Sequence, residues 1–129
     1  LCRMHAARTR GDPEVVVWGS GRAVRDWLYV EDLADACLFL MERHAGPEPI
    51  NVSGGAASSV AELADRIRSV VGFEGRLRFD ASRPDGAPRK VLDGEPLRRL
   101  GWTPRASLDE ALARTYTWVR EQAREVATR

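Results

Sequence analysis

Strand-like and helix-like segments alternate along this chain, and that alternation constrains the fold more than any other feature. Segments with a β-branched or alternating pattern, typical of strands, lie at residues 14–18 (EVVVW), 25–30 (RDWLYV), 49–52 (PINV) and 76–80 (RLRFD). Amphipathic helical segments separate them. This order predicts an α/β layer architecture. The strands are too few and too short for a complete doubly wound sheet, so we expect a small lobe of a larger protein.

Two of the predicted helices carry clear start signals. Ser59 with Glu62, and Ser107 with Glu110, match the S-x-x-E capping box, in which the serine and the glutamate each satisfy a free backbone N–H. The first helix is expected to end at Gly72, and a short helix is predicted over 96–100. The apolar faces of the two capped helices are predicted to contain Val60, Leu63, Ala64, Ile67, Val70, Leu108, Ala111, Leu112, Thr115 and Val119.

A further helix is predicted to begin near Asp32 and to end at Gly46. We interpret the acidic residues Glu31, Asp32 and Asp35 as charges that favour a helix N-terminus. SGGAA, at 53–57, is predicted to be a flexible turn. The apolar face of this helix is expected to be formed by Leu33, Ala36, Cys37, Leu40 and Met41.

Composition excludes several classes of function. The net charge is +1, which gives no bulk attraction for nucleic acid. There is no apolar run of membrane-spanning length and no Cys/His metal spacing, so we expect no membrane, nucleic-acid or metal partner. Two cysteines without a secretory signal favour a cytoplasmic protein. Because the chain opens on Leu1 within a helix-like stretch, we expect it to be part of a longer protein.

The sequence lacks the motifs of a nicotinamide site. Gly19 and Gly21 follow a strand, but no helix signature follows them, so this is a weak match to a dinucleotide fingerprint. A Tyr-x-x-x-Lys pair is missing, because Tyr29 and Tyr116 are followed four residues later by leucine and arginine. We therefore predict neither a cofactor-binding nor a catalytic residue in this chain.

Two segments carry a resemblance to a known family. Residues 15–36, VVVWGSGRAVRDWLYVEDLADA, resemble the extended short-chain dehydrogenase/reductases, which include nucleotide-sugar epimerases and dehydratases. Residues 79–102, FDASRPDGAPRKVLDGEPLRRLGW, resemble more specifically the GDP-L-fucose synthases. With INVSGG, SVAELADRI and SLDEALARTYTWV, the resemblance covers nearly the whole chain.

The resemblance implies that this chain works together with a domain that lies N-terminal to it in the family. GDP-L-fucose synthases epimerise GDP-4-keto-6-deoxy-mannose and reduce its keto group with NADPH. Their N-terminal Rossmann domain binds NADP(H) and holds the catalytic set, so residues 1–129 are expected to be the C-terminal substrate-binding lobe without that domain. The fragment alone is expected to be inactive and to bind no cofactor. The family is expected to be homodimeric, and a GDP-sugar is the expected ligand.

The resemblance also selects substrate-binding residues. Arg3 and Arg25 match arginines placed near the GDP-sugar, and guanidinium groups bind diphosphate with paired charged hydrogen bonds. Trp18 matches a ligand-contacting tryptophan, and we expect its ring to pack inward with its N–H facing the site. Read alone, Arg25 is a surface charge and Trp18 a core residue. Trp27, Trp102 and Trp118 are assigned to core or interlobe packing.

The proline-rich loop that follows residue 80 supplies the remaining candidates. Asp85 is expected to accept hydrogen bonds from ribose or guanine, and Lys90, the chain's one lysine, to contribute a point charge. The alternative is a solvated surface loop. Other functions also stay open: a free-standing nucleotide-sugar binding module, another epimerase or dehydratase of the superfamily, or a degenerate fragment that only packs.

Overall fold

The computed structural model describes the backbone of residues 1–127 and the side chains of residues 1–122. Helices and strands alternate along it, as the sequence pattern predicts. None of the helices in the described part is long and apolar enough to span a membrane. The elements are α1 (Cys2–Arg10), β1 (Glu14–Trp18), β2 (Val24–Trp27), α2 (Val30–Arg43), β3 (Ala56–Ser59), α3 (Val60–Val71), β4 (Arg76–Asp80), β5 (Arg89–Lys90), α4 (Glu95–Arg99) and α5 (Leu108–Ala127).

The strands form two small sheets. In one, β1 and β4 pair in parallel, with Glu14 opposite Arg76 and Trp18 opposite Asp80. In the other, β2 is central, antiparallel to β3 and parallel to β5. Both parallel pairs need a long crossover, and the intervening helices provide it. The α/β prediction is therefore confirmed, and so is the absence of a complete doubly wound sheet in these residues.

Each sheet has its own hydrophobic cluster. The β1–β4 pair packs with α1, α3 and α5 around Met4, Val71, Phe73 and Tyr116. The capping boxes at Ser59 and Ser107 are both formed, so the starts of α3 and α5 are confirmed. The second cluster lies between α2 and the α4 region and contains Ala36, Leu97 and Trp102.

Some strand predictions are wrong, for one physical reason. The segment 25–30 is strand only to Trp27, and Val30 already begins α2. Residues 49–52 pair with no strand among the described residues, although Ile50 and Val52 pack on the second cluster. Ala56 and Ala57, predicted to be part of a flexible turn, belong to β3, which pairs with β2. A strand needs a partner, and its partner is set by tertiary structure rather than by local pattern.

The prediction for α2 is half wrong. Ala36 is buried and Leu40 partly buried, but Leu33, Cys37 and Met41 are exposed. With Val30 and Leu38, these three residues recur at helical spacing and form an exposed row, here called the apolar stripe. Apolar side chains therefore lie on two sides of α2, and the described residues cover only one of these sides.

The acidic residues near the start of α2 do more than favour its N-terminus. Asp32 is only 6% exposed, and its carboxylate accepts backbone N–H bonds from Arg105 and Ala106 at 3.2 and 3.1 Å. Asp35 accepts from the indole N–H of Trp102 at 2.8 Å. These bonds attach the loop before α5 to α2. Trp102 is in the core, one of the two locations predicted for it, and Trp118 is 60% exposed, so interlobe packing stays the prediction for it.

Candidate functional site

The candidate residues gather where β1 and β4 end. These strands are parallel, so their carboxyl ends meet at the same edge, with Trp18 opposite Asp80. The chain then continues from Trp18 into the GSG turn, and from Asp80 into the loop 81–88. Every residue from 81 to 90 is exposed. The edge therefore carries two adjacent loops, and their contacts define the site.

Glycine is required where these loops meet. Gly19 and Gly21 have φ values of 88° and 78°, in the left-handed region that favours glycine. A Cβ on Gly19 would lie 2.4 Å from a carboxylate oxygen of Asp85, and one on Gly21 would lie 2.6 Å from the Phe79 ring. The turn can therefore approach β4 and its loop only because it has no side chains at these positions.

Asp85 is attached to the GSG turn. Its Oδ1 accepts the backbone N–H of Ser20, and its Oδ2 accepts the Ser20 hydroxyl, both at 2.5 Å. These hydrogen bonds from Ser20 lower the pKa of Asp85, and the nearby charges of Arg22 and Arg25 lower it further. The carboxylate is thus held ionised in a fixed position, and the loop that contains it is fastened to the end of β1.

Arg25 and Lys90 lie side by side on the second sheet. They are Cα partners in the parallel β2–β5 pair. Arg25 is partly buried: its Nη1 donates to the carbonyl of Val24 at 2.7 Å, and its Nη2 reaches the carbonyl of Asp85 at 3.5 Å. Asp85 therefore joins the two sheets, since it contacts Ser20 after β1 and Arg25 on β2.

Trp18 corrects one prediction about this site. Its side chain does not pack inward: the residue is 61% exposed at the end of β1. The guanidinium carbons of Arg3 and Arg83 lie 5.5 and 5.2 Å from the ring centroid, within cation–π range. The ring is exposed because the described residues place no apolar layer over this end of the β1–β4 pair.

The structure thus brings all five predicted residues to one edge of the molecule. Trp18 and Arg3 are in contact, Arg25 and Lys90 are neighbours in register, and Asp85 contacts Ser20, two residues after Trp18. Sequence reasoning missed Ser20 and Arg83. Ser20 sits inside the GSG turn, where a serine is unremarkable. Arg83 occupies a position between the motif residues, so neither gave a sequence signal.

The charges at this edge favour an anionic ligand. In the part of the chain with described side chains, Arg3 and Lys90 make neither an ion pair nor a side-chain hydrogen bond. The two carboxylates at this edge are already engaged: Asp85 by Ser20, and Asp80 by the N–H and hydroxyl of Ser82. Cations without carboxylate partners are available for phosphate, which guanidinium groups bind with charge-assisted hydrogen bonds.

The chemistry of a bound dinucleotide or metal does not fit these residues. The GSG turn leads into β2 rather than directly into a helix, so it lacks the strand–turn–helix order of a dinucleotide fingerprint. The first N–H groups of α3 that reach this segment are already used: those of Ala61 and Val60 donate to the carbonyls of Gly21 and Ala23, at 2.9 and 3.0 Å. No group of three or more metal-ligating side chains occurs among the residues described. A cavity of about 540 Å³ lies apart from the site, lined mainly by β2–α2 and the start of α5, and it is largely apolar.

Comparison with known proteins identifies relatives. The NAD dependent epimerase/dehydratase family matches residues 1–53. GDP-L-fucose synthase 1 of Arabidopsis thaliana is 49% identical over 116 residues, which are 90% of this chain and 36% of that protein. GDP-L-fucose synthase of Escherichia coli K12 is 45% identical over 130 residues, covering 94% of this chain and 40% of that protein. This chain therefore spans well under half the length of these relatives.

Solved structures agree with the sequence relatives. A GDP-L-fucose synthetase from Naegleria fowleri, solved with NADP bound, superimposes on 95% of this chain with a TM-score of 0.88 and 27% identity. The superposition covers 39% of that protein. The two small sheets and their helices are thus a known arrangement, found within a larger molecule.

Proposed function

We propose that this chain, which is similar to part of the GDP-L-fucose synthases, is the GDP-sugar-binding C-terminal portion of such an enzyme. The whole enzyme would epimerise GDP-4-keto-6-deoxy-mannose at two sugar carbons and reduce its keto group with NADPH, forming GDP-L-fucose. The observation that carries the proposal is the fastening of the Asp85 loop to the GSG turn. That contact gathers Trp18, Arg25 and Lys90 around one exposed, cation-rich edge.

Each residue has a role that its geometry supports. Arg25 is fixed by two backbone carbonyls, so its remaining N–H groups are oriented for phosphate at little entropic cost. Lys90 adds a second positive charge next to it. The oxygens of Asp85 each accept one bond from Ser20, and a carboxylate oxygen has a second lone pair for a ribose hydroxyl or a guanine N–H. The exposed Trp18 ring offers a flat packing surface.

We place the NADPH site and the catalytic residues outside this chain. The GSG turn does not fit a dinucleotide, and the family's proton-transfer set has no counterpart in the sequence. In the whole enzyme, residues of this chain would bind and orient the GDP-sugar, and the chemistry would take place on the adjoining domain. The purified chain is accordingly expected to oxidise no NADPH with any nucleotide sugar.

The apolar stripe of α2 supports a larger assembly. Met41 is 82% exposed and Leu38 65% exposed, on a helix whose other side is packed in the second cluster. Contiguous exposed apolar surface commonly marks contact with further protein. We propose that the apolar stripe contacts the remainder of the enzyme. The whole enzyme would be a homodimer, as expected for the family. The free cysteines Cys2 and Cys37 favour a reducing, cytoplasmic location.

A nucleotide titration tests the proposal. The purified chain is titrated calorimetrically with GDP, UDP and dTDP, alongside Arg25→Ala and the matched control Arg99→Ala. Arg99 is exposed on α4, and among the residues with described side chains its ion-pair partner is Glu95 of the same helix. GDP should bind best, and Arg25→Ala should weaken it by about ten- to a hundredfold, the loss of a charge-assisted hydrogen bond. The control should change little.

Two outcomes would contradict the proposal. If Arg25→Ala and Arg99→Ala had the same affinity for GDP, the β2 arginine would not be a substrate ligand. Turnover of NADPH by the pure chain would show that it is a complete enzyme rather than a binding portion.

A further inference from the structure

Arg83 is built into the candidate site by its own loop. Asp80 ends β4 and accepts the N–H and hydroxyl of Ser82, at 3.1 and 2.6 Å, through one carboxylate oxygen. Its carbonyl accepts the N–H of Arg83 at 3.1 Å. This compact turn fixes the backbone of Arg83 at the strand end. Because Asp80 is the register partner of Trp18, the turn places the Arg83 guanidinium 5.2 Å from the Trp18 ring centroid.

The charge of Arg83 is poorly neutralised where it lies. Its carboxylate contact in the described structure is Asp80, at 3.9 Å, with the arginine side chain 58% exposed. An ion pair of that length and exposure contributes little. Arg3 lies 5.5 Å from the same ring, so two guanidinium groups share one indole. Two cations on one ring give a bound anion two sources of charge-assisted hydrogen bonds.

We propose that Arg83 is a further binding residue of the GDP-sugar site, which binds the diphosphate together with Arg3 while packing on Trp18. This inference rests on the function proposed above. A guanidinium is suited to both tasks, because its planar face stacks on an aromatic ring while its edge donates in a fork to phosphate oxygens. Lysine keeps the charge but has no planar fork. Arg83 therefore links the tryptophan to the phosphates.

The experiment compares two ligands across three variants. The purified chain, Arg83→Gln, Arg83→Lys and the control Arg99→Gln are titrated calorimetrically with GDP and with inorganic pyrophosphate. Far-UV circular dichroism verifies that each variant keeps its helix content. Arg83→Gln should weaken both ligands by about tenfold or more, as for a lost charge-assisted hydrogen bond. Arg83→Lys should recover part of that loss, and Arg99→Gln should stay within about twofold of the unmodified chain.

The outcomes separate this inference from the function on which it rests. Loss of GDP binding in Arg25→Ala, with Arg83→Gln equal to the control, would overturn the role of Arg83 and leave the proposed function intact. Weakened GDP with unchanged pyrophosphate would also overturn it, since Arg83 would then act only through Trp18. Failure of the unmodified chain to bind GDP would overturn both.

Discussion

Replacing Asp32 with alanine should destabilise the chain by about 2–4 kcal/mol. The carboxylate is 6% exposed and accepts two backbone N–H bonds, from Arg105 and Ala106. A hydrogen bond to a charged group is worth about 1.5–3 kcal/mol, and two are lost together. The freed N–H groups lie in a loop where Arg105 is exposed, so water recovers part of the loss. The expected total is therefore below the simple sum of two bonds.

Two further variants make the magnitude interpretable. Asp32→Asn keeps the size of the side chain, but its amide can accept with only one atom and turns an N–H₂ toward the second donor, so about 1–2 kcal/mol should be lost. Asp109→Ala removes an exposed carboxylate that pairs with Arg66 at 2.7 Å. Exposed ion pairs contribute little, so this control should cost less than about 1 kcal/mol.

Urea unfolding followed by far-UV circular dichroism measures these differences. The order of stability should be the unmodified chain, Asp109→Ala, Asp32→Asn and Asp32→Ala, with an unchanged dependence on urea concentration. If Asp32→Ala were no less stable than Asp109→Ala, the attachment of the loop before α5 to α2 would contribute nothing to folding.

Two other predictions follow from the site and from α2. Ser20→Ala should raise the pKa of Asp85 part of the way toward its ordinary value of 3.8. The hydroxyl of Ser20 is the largest cause that lowers this pKa, and the backbone N–H of residue 20 still donates in the variant. Chemical-shift titration of the carboxyl carbon measures the change, and an unmoved pKa would contradict the hydroxyl contact. Since the folded pKa is lowered, the Asp85 contact stabilises the fold above about pH 4 and is lost as pH falls through the lowered pKa. Met41→Glu should leave the free energy of unfolding within about 0.5 kcal/mol, since Met41 is 82% exposed. Light scattering should show less self-association for Met41→Glu than for the unmodified chain. Equal self-association would mean that the apolar stripe does not drive it.

Local signals in the sequence predicted the parts of the fold that depend on local interactions. The capping boxes at Ser59 and Ser107 involve residues three apart, and both form where expected. The strand at 49–52 was predicted from an equally clear pattern and is wrong. Pattern shows that Ile50 and Val52 have an apolar side, and they do pack on the second cluster, but pairing depends on residues far along the chain.

The predictions about the candidate site divide in the same way, into those that the sequence supports and those that depend on tertiary structure. Arg25 and Asp85 were chosen through the family resemblance, and the structure places them in contact through the Asp85 carbonyl. The exposure of Trp18 could not be deduced, because it depends on what covers the end of the β1–β4 pair. Ser20 and Arg83 are ordinary polar residues in loops. Their contacts with Asp85 and Trp18 become visible only when the two loops are seen side by side.

The two parallel strand pairs also determine how this chain acquires its structure. Glu14 pairs with Arg76, and Val24 with Arg89, so each pairing brings together residues more than sixty positions apart. The entropy of closing such loops must be lost before these contacts form, which slows folding relative to a helical protein of the same size. We therefore expect the helices to form early from their own caps and the edge with Trp18 and Asp85 to form late. During synthesis, the candidate site around Trp18 and Arg25 can therefore form only after residues 76–90 have been made.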